Sequence, residues 1–187
     1  MASSGPLYPG TIGTDSSVGT ATWTSTSNIG ANDNSTANCQ FTGDNGQDSE
    51  YIKGTNFGFS IPSGATIDGI IVEVGGNSNI FGTVDDHSVR LVKGGTIGGD
   101  NKASGTDYTT SETNRTYGSS SDLWGLSFTD SDINNSTFGV VYSGNRVVGT
   151  DNLTLLLDYI RITVHYTEGA STAVKDVIGC GVIPFSR

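Results

Sequence analysis

The sequence is poor in the side chains that carry most protein chemistry. Its 187 residues include two cysteines and two histidines. A disulfide framework needs more cysteines, and a zinc site needs cysteine or histidine clustered at short spacing. Cys39 and Cys180 could form one bridge, but a buried free thiol is the state expected for Cys39. The shortage therefore excludes a disulfide-stabilised scaffold and a zinc site.

Positive charge is also scarce. Nine Lys and Arg residues stand against 19 Asp and Glu residues, so the net charge is −10 and the pI is 4.3. An acidic surface repels nucleic acids and anionic membranes, and neither is an expected partner. No stretch approaches the roughly 20 apolar residues of a membrane span. Residues 1–6 contain neither the basic region nor the apolar run of a secretory signal.

Hydrophobic residues are only 34% of the chain, whereas glycine alone accounts for 27 residues. The length suits one sizeable domain, and this composition favours a thin two-layer core with many turns. Disorder is the alternative for so polar a chain. Charged residues are only 15%, however, and the apolar residues cluster in short β-branched runs. These two observations favour a folded domain.

What the sequence does contain is alternation of apolar and polar residues, which indicates half-buried strands. No segment has a convincing helical period. The clearest alternating segments are residues 21–23, 57–61, 70–74, 89–91, 138–142 and 160–166, with weaker candidates at 35–41 and 114–119. They predict an all-β fold: an antiparallel two-sheet β-sandwich of about eight strands, jelly-roll-like. Because the pattern contains no strand order, an immunoglobulin-like sandwich is the alternative.

Two local features refine this prediction. Thr129, followed three residues later by Asp132, predicts a helix N-cap and one helical turn. In the last strand, the inward-facing Ile160 stands at an even position. Leu153, Leu155 and Leu157 stand at odd positions, which in a regular strand would face the opposite side. This phase change predicts a β-bulge near Asp158, or an inward, hydrogen-bonded Asp158 carboxylate, in preference to a metal ligand.

The two ends differ in composition from the middle. Residues 1–17 hold prolines and glycines around Leu7 and Tyr8, which predicts an extended N-terminal arm rather than a strand. Residues 18–167 are the predicted sandwich domain. Residues 168–187 begin as a linker rich in small polar residues and end in an apolar C-terminal tail. Because a free apolar tail is a liability in solution, we expect it to fold back or to bind a neighbouring subunit.

Candidate catalytic groups are few. His87 follows two aspartates, but no Gly-x-Ser-x-Gly nucleophile turn accompanies it. Glu73 and Asp86 could in principle pair as in a glycosidase, although sequence alone does not set their separation. We therefore expect no enzyme activity, no catalytic residues and no cofactor.

Calcium is the one cofactor kept as a minority alternative, because Asp and Asn abound in the loops. Residues 130–134 begin like an EF-hand loop, but the glycine and glutamate that the motif requires are missing. Residues 32–34 and 44–50 are the other clusters of acidic and amide side chains. Turns in which Asn and Asp bond their own backbone are the simpler interpretation, so no metal ligands are expected.

Aromatic residues offer one recognition hypothesis. Tyr108 and Tyr117 lie among polar residues, and Trp124 lies close to Leu126 and Phe128. Exposed rings of this kind can stack on sugars. The alternative, which we favour, is that Trp124 and its apolar neighbours plug one end of the sandwich.

A collinear set of segments carries a resemblance to a known module. The segments are residues 18–23, 28–35, 55–70, 86–91, 117–125, 132–140 and 158–164. They resemble a Gly/Ser/Thr-rich β-sandwich module of tailed-phage virion structural proteins, which occurs in head decoration and in tail or fibre-associated proteins. The resemblance covers residues 18–167.

The resemblance implies a virion structural protein without catalytic residues. Because one module fills nearly the whole chain, it favours a capsid decoration or cement protein on the particle surface, made in the host cytoplasm. The expected partners are the major capsid protein or other virion proteins, and further copies of this chain in a homo-oligomer. The residues expected to make these contacts are Leu7, Tyr8, Val177, Ile178, Val182, Ile183 and Phe185. The alternative is a tail or baseplate carbohydrate-binding module for host recognition, with Trp124, Tyr117 and Tyr108 at the sugar.

Overall fold

The computed structural model describes residues 1–148 and 153–169, and their regular secondary structure is almost entirely β-strand. No helix among them is long and apolar enough to cross a membrane. A single turn of 3₁₀ helix covers Thr26–Ile29, and one short helix, α1, covers Asp130–Asn134. The strands are β1 (Ala2–Leu7), β2 (Thr11–Asp15), β3 (Trp23–Thr24), β4 (Ala37–Phe41), β5 (Tyr51–Thr55), β6 (Thr66–Ser78), β7 (Val84–Lys93), β8 (Thr96–Gly98), β9 (Thr113–Gly118), β10 (Gly139–Arg146) and β11 (Leu153–Thr167).

The strands form two antiparallel sheets. Sheet one has the order β3-β4-β11-β6-β9, and β1 pairs with the second half of β11 on the side where β4 pairs with the first half. Sheet two has the order β2-β5-β10-β7-β8. The predicted all-β, jelly-roll-like sandwich of two antiparallel sheets is confirmed.

The core lies between the sheets and follows the alternation in the sequence. In β6, Ile70, Val72 and Val74 are fully buried, and in β11 Ile160 and Ile162 are buried in the same cluster. Side chains of a strand point to opposite faces in turn, so a period of two places one set in the core. Burial of this apolar surface, at about 25 cal/mol per Å², is the main stabilising contribution.

The predicted bulge in the last strand is confirmed. Leu157 is opposite Gly76 and Tyr159 is opposite Gly75, so Asp158 is the extra residue that the partner strand does not match. The bulge reverses the parity of β11, so Leu153, Leu155 and Leu157 before it face the same core as Ile160 and Ile162 after it. The helical turn is confirmed as well: Thr129 and Asp132 form a reciprocal capping box at the start of α1.

The number of strands and the N-terminal prediction need correction. The described residues contain eleven strands rather than about eight. The segment predicted to be an arm without strands contains β1, which pairs with β11, and β2, which pairs with β5. Backbone hydrogen bonds need no apolar alternation, so these Gly/Ser/Pro-rich segments pair without a visible signal. The alternation of apolar and polar residues in β5 and β8 is too short to predict a strand.

One predicted strand is absent. Residues 57–61 alternate in burial as expected but lie outside the strands. Phe57 and Phe59 stack with ring centroids 6.1 Å apart, and Phe59 also contacts Phe138 edge-on at 6.0 Å. The alternation reflects an aromatic cluster at the rim of the core. Cys39 is a buried free thiol, as expected, while Cys180 and the apolar tail lie outside the described residues.

Candidate functional site

A concave groove lies on the outer face of sheet one. Its volume is about 670 Å³, within the usual size range of ligand sites. Among the described residues that line it, none is charged and none is aromatic. The lining consists mostly of hydroxyl and amide side chains: Thr20, Ala21, Thr22, Thr24, Asn38, Gln40, Thr42, Gln47, Asn79, Thr154 and Leu156. We call this surface the neutral groove.

Strand alternation places these residues. In β4, Ala37, Cys39 and Phe41 face the core, so Asn38 and Gln40 face outward into the groove. β11 contributes Thr154 and Leu156 in the same way, opposite Gln40 and Asn38 respectively. The groove floor is therefore made of paired strands, which are the most rigid part of this fold.

Hydrogen bonds hold several groove side chains in place. The Thr36 hydroxyl donates to Asn38 Oδ1 at 2.8 Å, and the Thr24 hydroxyl donates to the Asn38 carbonyl at 3.2 Å. At the other end, Gln47 Nε2 donates to the Thr20 hydroxyl at 3.2 Å. These bonds orient the polar groups before any ligand arrives, which lowers the entropy cost of binding.

A second polar site lies inside the sandwich, around the buried Asp86 of β7. Its Oδ1 accepts from Arg115 Nη1 at 2.7 Å and from the Tyr142 hydroxyl at 3.0 Å. Its Oδ2 accepts from the Tyr117 hydroxyl at 2.9 Å and from both the hydroxyl and the backbone N–H of Ser104, at 3.0 and 3.3 Å. Strands β9 and β10 supply the donors of three of these five bonds, and the loop residue Ser104 supplies the other two. Both oxygens of this buried carboxylate are therefore hydrogen-bonded.

The tyrosines around Asp86 are correspondingly hard to ionise. Burial, and then the charge of Asp86, raise the pKa of Tyr108 above its usual range, and burial is the first cause for Tyr117 and Tyr142 as well. The Arg115 guanidinium lies 3.4 Å from the centre of the Tyr108 ring. The Asp86 carboxylate is buried and enclosed by donors, so its geometry suits a structural network rather than proton transfer.

The carboxylates and histidine considered for catalysis are engaged elsewhere. Arg161 donates to both Glu73 oxygens, at 2.9 and 3.0 Å, and this pairing lowers the Glu73 pKa. Asp86 is enclosed by the donors described above. His87 Nδ1 lies 3.0 Å from Asp48 Oδ1, at a half-buried position. The geometry therefore assigns none of these groups a general acid or base role.

The three aromatic residues of the carbohydrate hypothesis are buried, which corrects that assignment. Trp124 and Tyr108 are fully buried and Tyr117 is 4% exposed. Trp124 donates its indole N–H to the Ile70 carbonyl at 2.9 Å, so it is the core plug that the alternative described. A ring must present a face to solvent to stack on a sugar, and these rings present none.

The two described residues of the predicted partner surface contact their own domain. Leu7 packs against the main core, and the Tyr8 ring lies edge-on to Tyr159 with centroids 6.3 Å apart. The remaining predicted contact residues lie outside the described part of the chain: Val177, Ile178, Val182, Ile183 and Phe185.

Acidic side chains in the loop clusters considered for calcium are bound to other partners. Asp132 caps α1 and lies 3.2 Å from Lys93 Nζ, while Asp48 is paired with His87. Within residues 1–148 and 153–169, no group of three or more His, Cys, Asp and Glu side chains is arranged around a common metal position. The cluster at residues 32–34 contacts a carboxylate of another strand: the backbone N–H of Asp33 donates to Asp158 Oδ1 at 3.3 Å.

Sequence reasoning missed both the neutral groove and the Asp86 network. The outward positions of β4, Asn38 and Gln40, were visible as the polar half of an alternating segment. Their assembly with Thr24 and Thr154 required the strand order, which the alternation does not contain. The Asp86 network likewise joins residues from three strands and a loop.

Comparisons with known proteins concern the fold. No protein-family model matches this chain, and no curated protein matches it in sequence. A solved structure described as CBM4 is similar, with a TM-score of 0.42, 10% identity, and coverage of 71% of this chain and 85% of that chain. The N-terminal cellulose-binding domain of β-1,4-glucanase C from Cellulomonas fimi is similar with a TM-score of 0.36, 13% identity and 80% coverage of each chain.

Proposed function

We propose that this protein is a non-catalytic binding protein that holds a neutral carbohydrate chain in the neutral groove. The observation that carries the proposal is the uncharged lining of hydroxyl and amide groups, in a chain whose net charge is −10. Sugars present adjacent hydroxyl groups, and a side-chain amide can both donate to and accept from such groups. An uncharged surface gives no preference to an ionic ligand.

The geometry of the groove supports an extended ligand. Asn38 and Gln40 lie two residues apart on one face of β4, with Leu156 of β11 beside Asn38. Leu156 supplies an apolar contact for the C–H face of a sugar ring, while the amides address its hydroxyls. Because the described lining lacks aromatic rings, we expect modest affinity, dominated by hydrogen bonds rather than by stacking.

A glycan array on the purified chain, followed by calorimetry on the best neutral oligosaccharide, tests this proposal. Gln40→Ala and Asn38→Ala should each weaken binding about tenfold, as expected for the loss of a well-placed hydrogen bond. Thr116→Ala is the matched control, because Thr116 is an exposed residue on β9 at the opposite edge of the same sheet. Absence of neutral-glycan binding, or binding unaffected by both groove variants, would contradict the proposal.

A second proposal rests on the sequence resemblance, which is collinear over residues 18–167. It assigns the chain to the surface of a tailed-phage particle, as a decoration or cement protein whose C-terminal tail contacts capsid or sibling subunits. The two proposals are compatible, since a particle-surface protein can carry a ligand groove on its exposed sheet. They differ in what they require: one needs a glycan, the other a particle.

Copy number in purified particles tests this second proposal. A decoration protein should be present in a large number of copies, and deletion of residues 173–187 should prevent its incorporation while the domain remains folded. Absence of the chain from the particles, or normal incorporation of the truncated chain, would argue against it. Neither outcome affects the glycan measurement.

A further inference from the structure

Asp158, at the β11 bulge, is a buried carboxylate that the described residues leave half satisfied. The residue is fully buried. Its Oδ1 accepts a single long hydrogen bond, from the Asp33 backbone N–H at 3.3 Å. Its Oδ2 is buried without a hydrogen-bond partner among the described residues. A buried carboxylate oxygen without a donor or a counter-charge is strongly unfavourable, so this oxygen is placed for a partner that residues 1–148 and 153–169 do not supply.

A second carboxylate lies beside it. Glu112 directly precedes β9, where Thr113 is opposite Gly76 of β6, and Gly76 is in turn opposite Leu157. Burial, and then the negative charge of Asp158, raise the pKa of Glu112. Glu112, just before β9, and Asp158 of β11 thus lie on either side of β6. Two like charges repel, and a bound cation would offset that repulsion.

The loop before β4 also lies beside Asp158. An isolated antiparallel bridge between Gly30 and Tyr159 holds the start of this loop against the bulge. The hydrogen bond from Asp33 turns the Asp158 carboxylate toward the same loop, whose side chains include Asn32 and Asn34. The nearest guanidinium on β11, that of Arg161, is bound by both oxygens of Glu73. The loop thus adds amide and carbonyl oxygens, and the described residues supply no neutralising positive charge here.

We propose that Asp158 and Glu112, together with oxygen atoms of residues 31–35, bind one calcium ion. Calcium takes carboxylate, amide and carbonyl oxygens in irregular geometry, as a bulge and a loop provide. Zinc is disfavoured because the ligands are oxygens only, and magnesium because it demands near-ideal octahedral geometry. Only two carboxylates are involved, so neutral oxygens complete the coordination. This site is independent of the glycan groove.

Calorimetric titration of calcium chloride into the full chain, after treatment with EDTA, tests the site. One calcium ion should bind per chain, and the same addition should raise the thermal midpoint. Asp158→Asn keeps the shape of the side chain but removes its charge, and it should weaken calcium binding by at least about tenfold. Asp130→Asn changes a half-buried carboxylate of α1; it is the matched control and should bind as the original chain does.

Several outcomes would overturn the proposal. These are no calcium uptake by the original chain, tighter binding of magnesium than of calcium, or unchanged affinity in Asp158→Asn. If Asp158→Asn does not fold, Glu112→Gln decides, because Glu112 is exposed and its replacement leaves the core intact. Weaker calcium binding in Glu112→Gln supports the site, and unchanged binding overturns it. A glycan titration with and without calcium separates this result from the groove proposal.

Discussion

Asp86 and Asp158 are the two buried carboxylates of the described residues, and they differ in how many hydrogen bonds they accept. Asp86 accepts five hydrogen bonds from Arg115, Tyr142, Tyr117 and Ser104, whereas Asp158 accepts one from Asp33 and leaves an oxygen without a partner. Equal burial therefore has different meanings. One carboxylate completes an internal network, and the other has an oxygen for which the described part of the chain supplies no partner.

The surroundings of the two carboxylates explain the difference. Asp86 lies on β7, an interior strand of sheet two, and it faces Tyr142 of the neighbouring β10 together with Arg115 and Tyr117 of β9 in sheet one. Asp158 lies at a bulge, where one residue has no opposite partner in the ladder. A bulge alone does not separate the two cases, because the pairing of β7 with β10 also shifts register between Asp86 and Ser88. The difference is in the donors, since tyrosines and an arginine converge on Asp86 whereas one backbone N–H reaches Asp158.

The largest effect expected is the loss of stability when the Asp86 carboxylate is removed. Asp86→Ala should lower the free energy of unfolding by about 3–5 kcal/mol, because it leaves the Arg115 charge buried without its partner. Urea denaturation measures this loss. Asp44→Ala, at an exposed turn, is the control and should change stability by less than about 0.5 kcal/mol. An equally small loss for Asp86→Ala would show that the network contributes little.

Alkaline pH should weaken the same network more gradually. The folded-state pKa values of Tyr117 and Tyr142 are raised by burial above the usual value of 10.0, and burial raises the pKa of Cys39 to about 12. Above pH 10 the unfolded chain loses these protons while the folded chain keeps them, so stability falls as pH rises. Each such tyrosine contributes about 1.4 kcal/mol per pH unit. Denaturation curves at increasing pH should show a shallower decline for Tyr117→Phe, and an identical slope would contradict the assignment.

The smallest effect is expected at Asp158 in the absence of calcium. In EDTA, Asp158→Asn should change the free energy of unfolding by less than about 1 kcal/mol, or increase it, because the variant removes a poorly solvated buried charge. With calcium present, the original chain should be the more stable of the two. Thermal denaturation under both conditions provides the test. A large loss in EDTA would place Asp158 in the same class as Asp86.

Much of the fold could be predicted from local pattern. The apolar alternation around Ile70 and Ile160, the Thr129 capping box and the phase change at Asp158 are local in sequence, and each was confirmed. Strands β1 and β2 could not be predicted, because their stability comes from pairing with β11 and β5 rather than from their own side chains. The pattern also predicted a strand at residues 57–61, where an aromatic cluster produces the same alternation.

The candidate sites were less accessible to sequence reasoning. Trp124, Tyr117 and Tyr108 were candidates for a sugar platform because they stand among polar residues, yet the fold buries all three. The neutral groove assembles β3, β4 and β11, and the Asp158 site joins residues separated by 125 positions in the chain. The residues next to a position in the sequence do not predict whether its side chain is buried or what it contacts, because both depend on which strands lie side by side.

By itself, the sequence determined that this is an acidic, all-β chain with one two-layer core, and it located the irregularity in the last strand. Those properties follow from composition and from side-chain period, which are local. Only the tertiary structure decided that Asp86 is saturated, that Asp158 is not, and that uncharged side chains of three strands share one groove. Those properties depend on strand order and register, which are settled by contacts between distant parts of the chain.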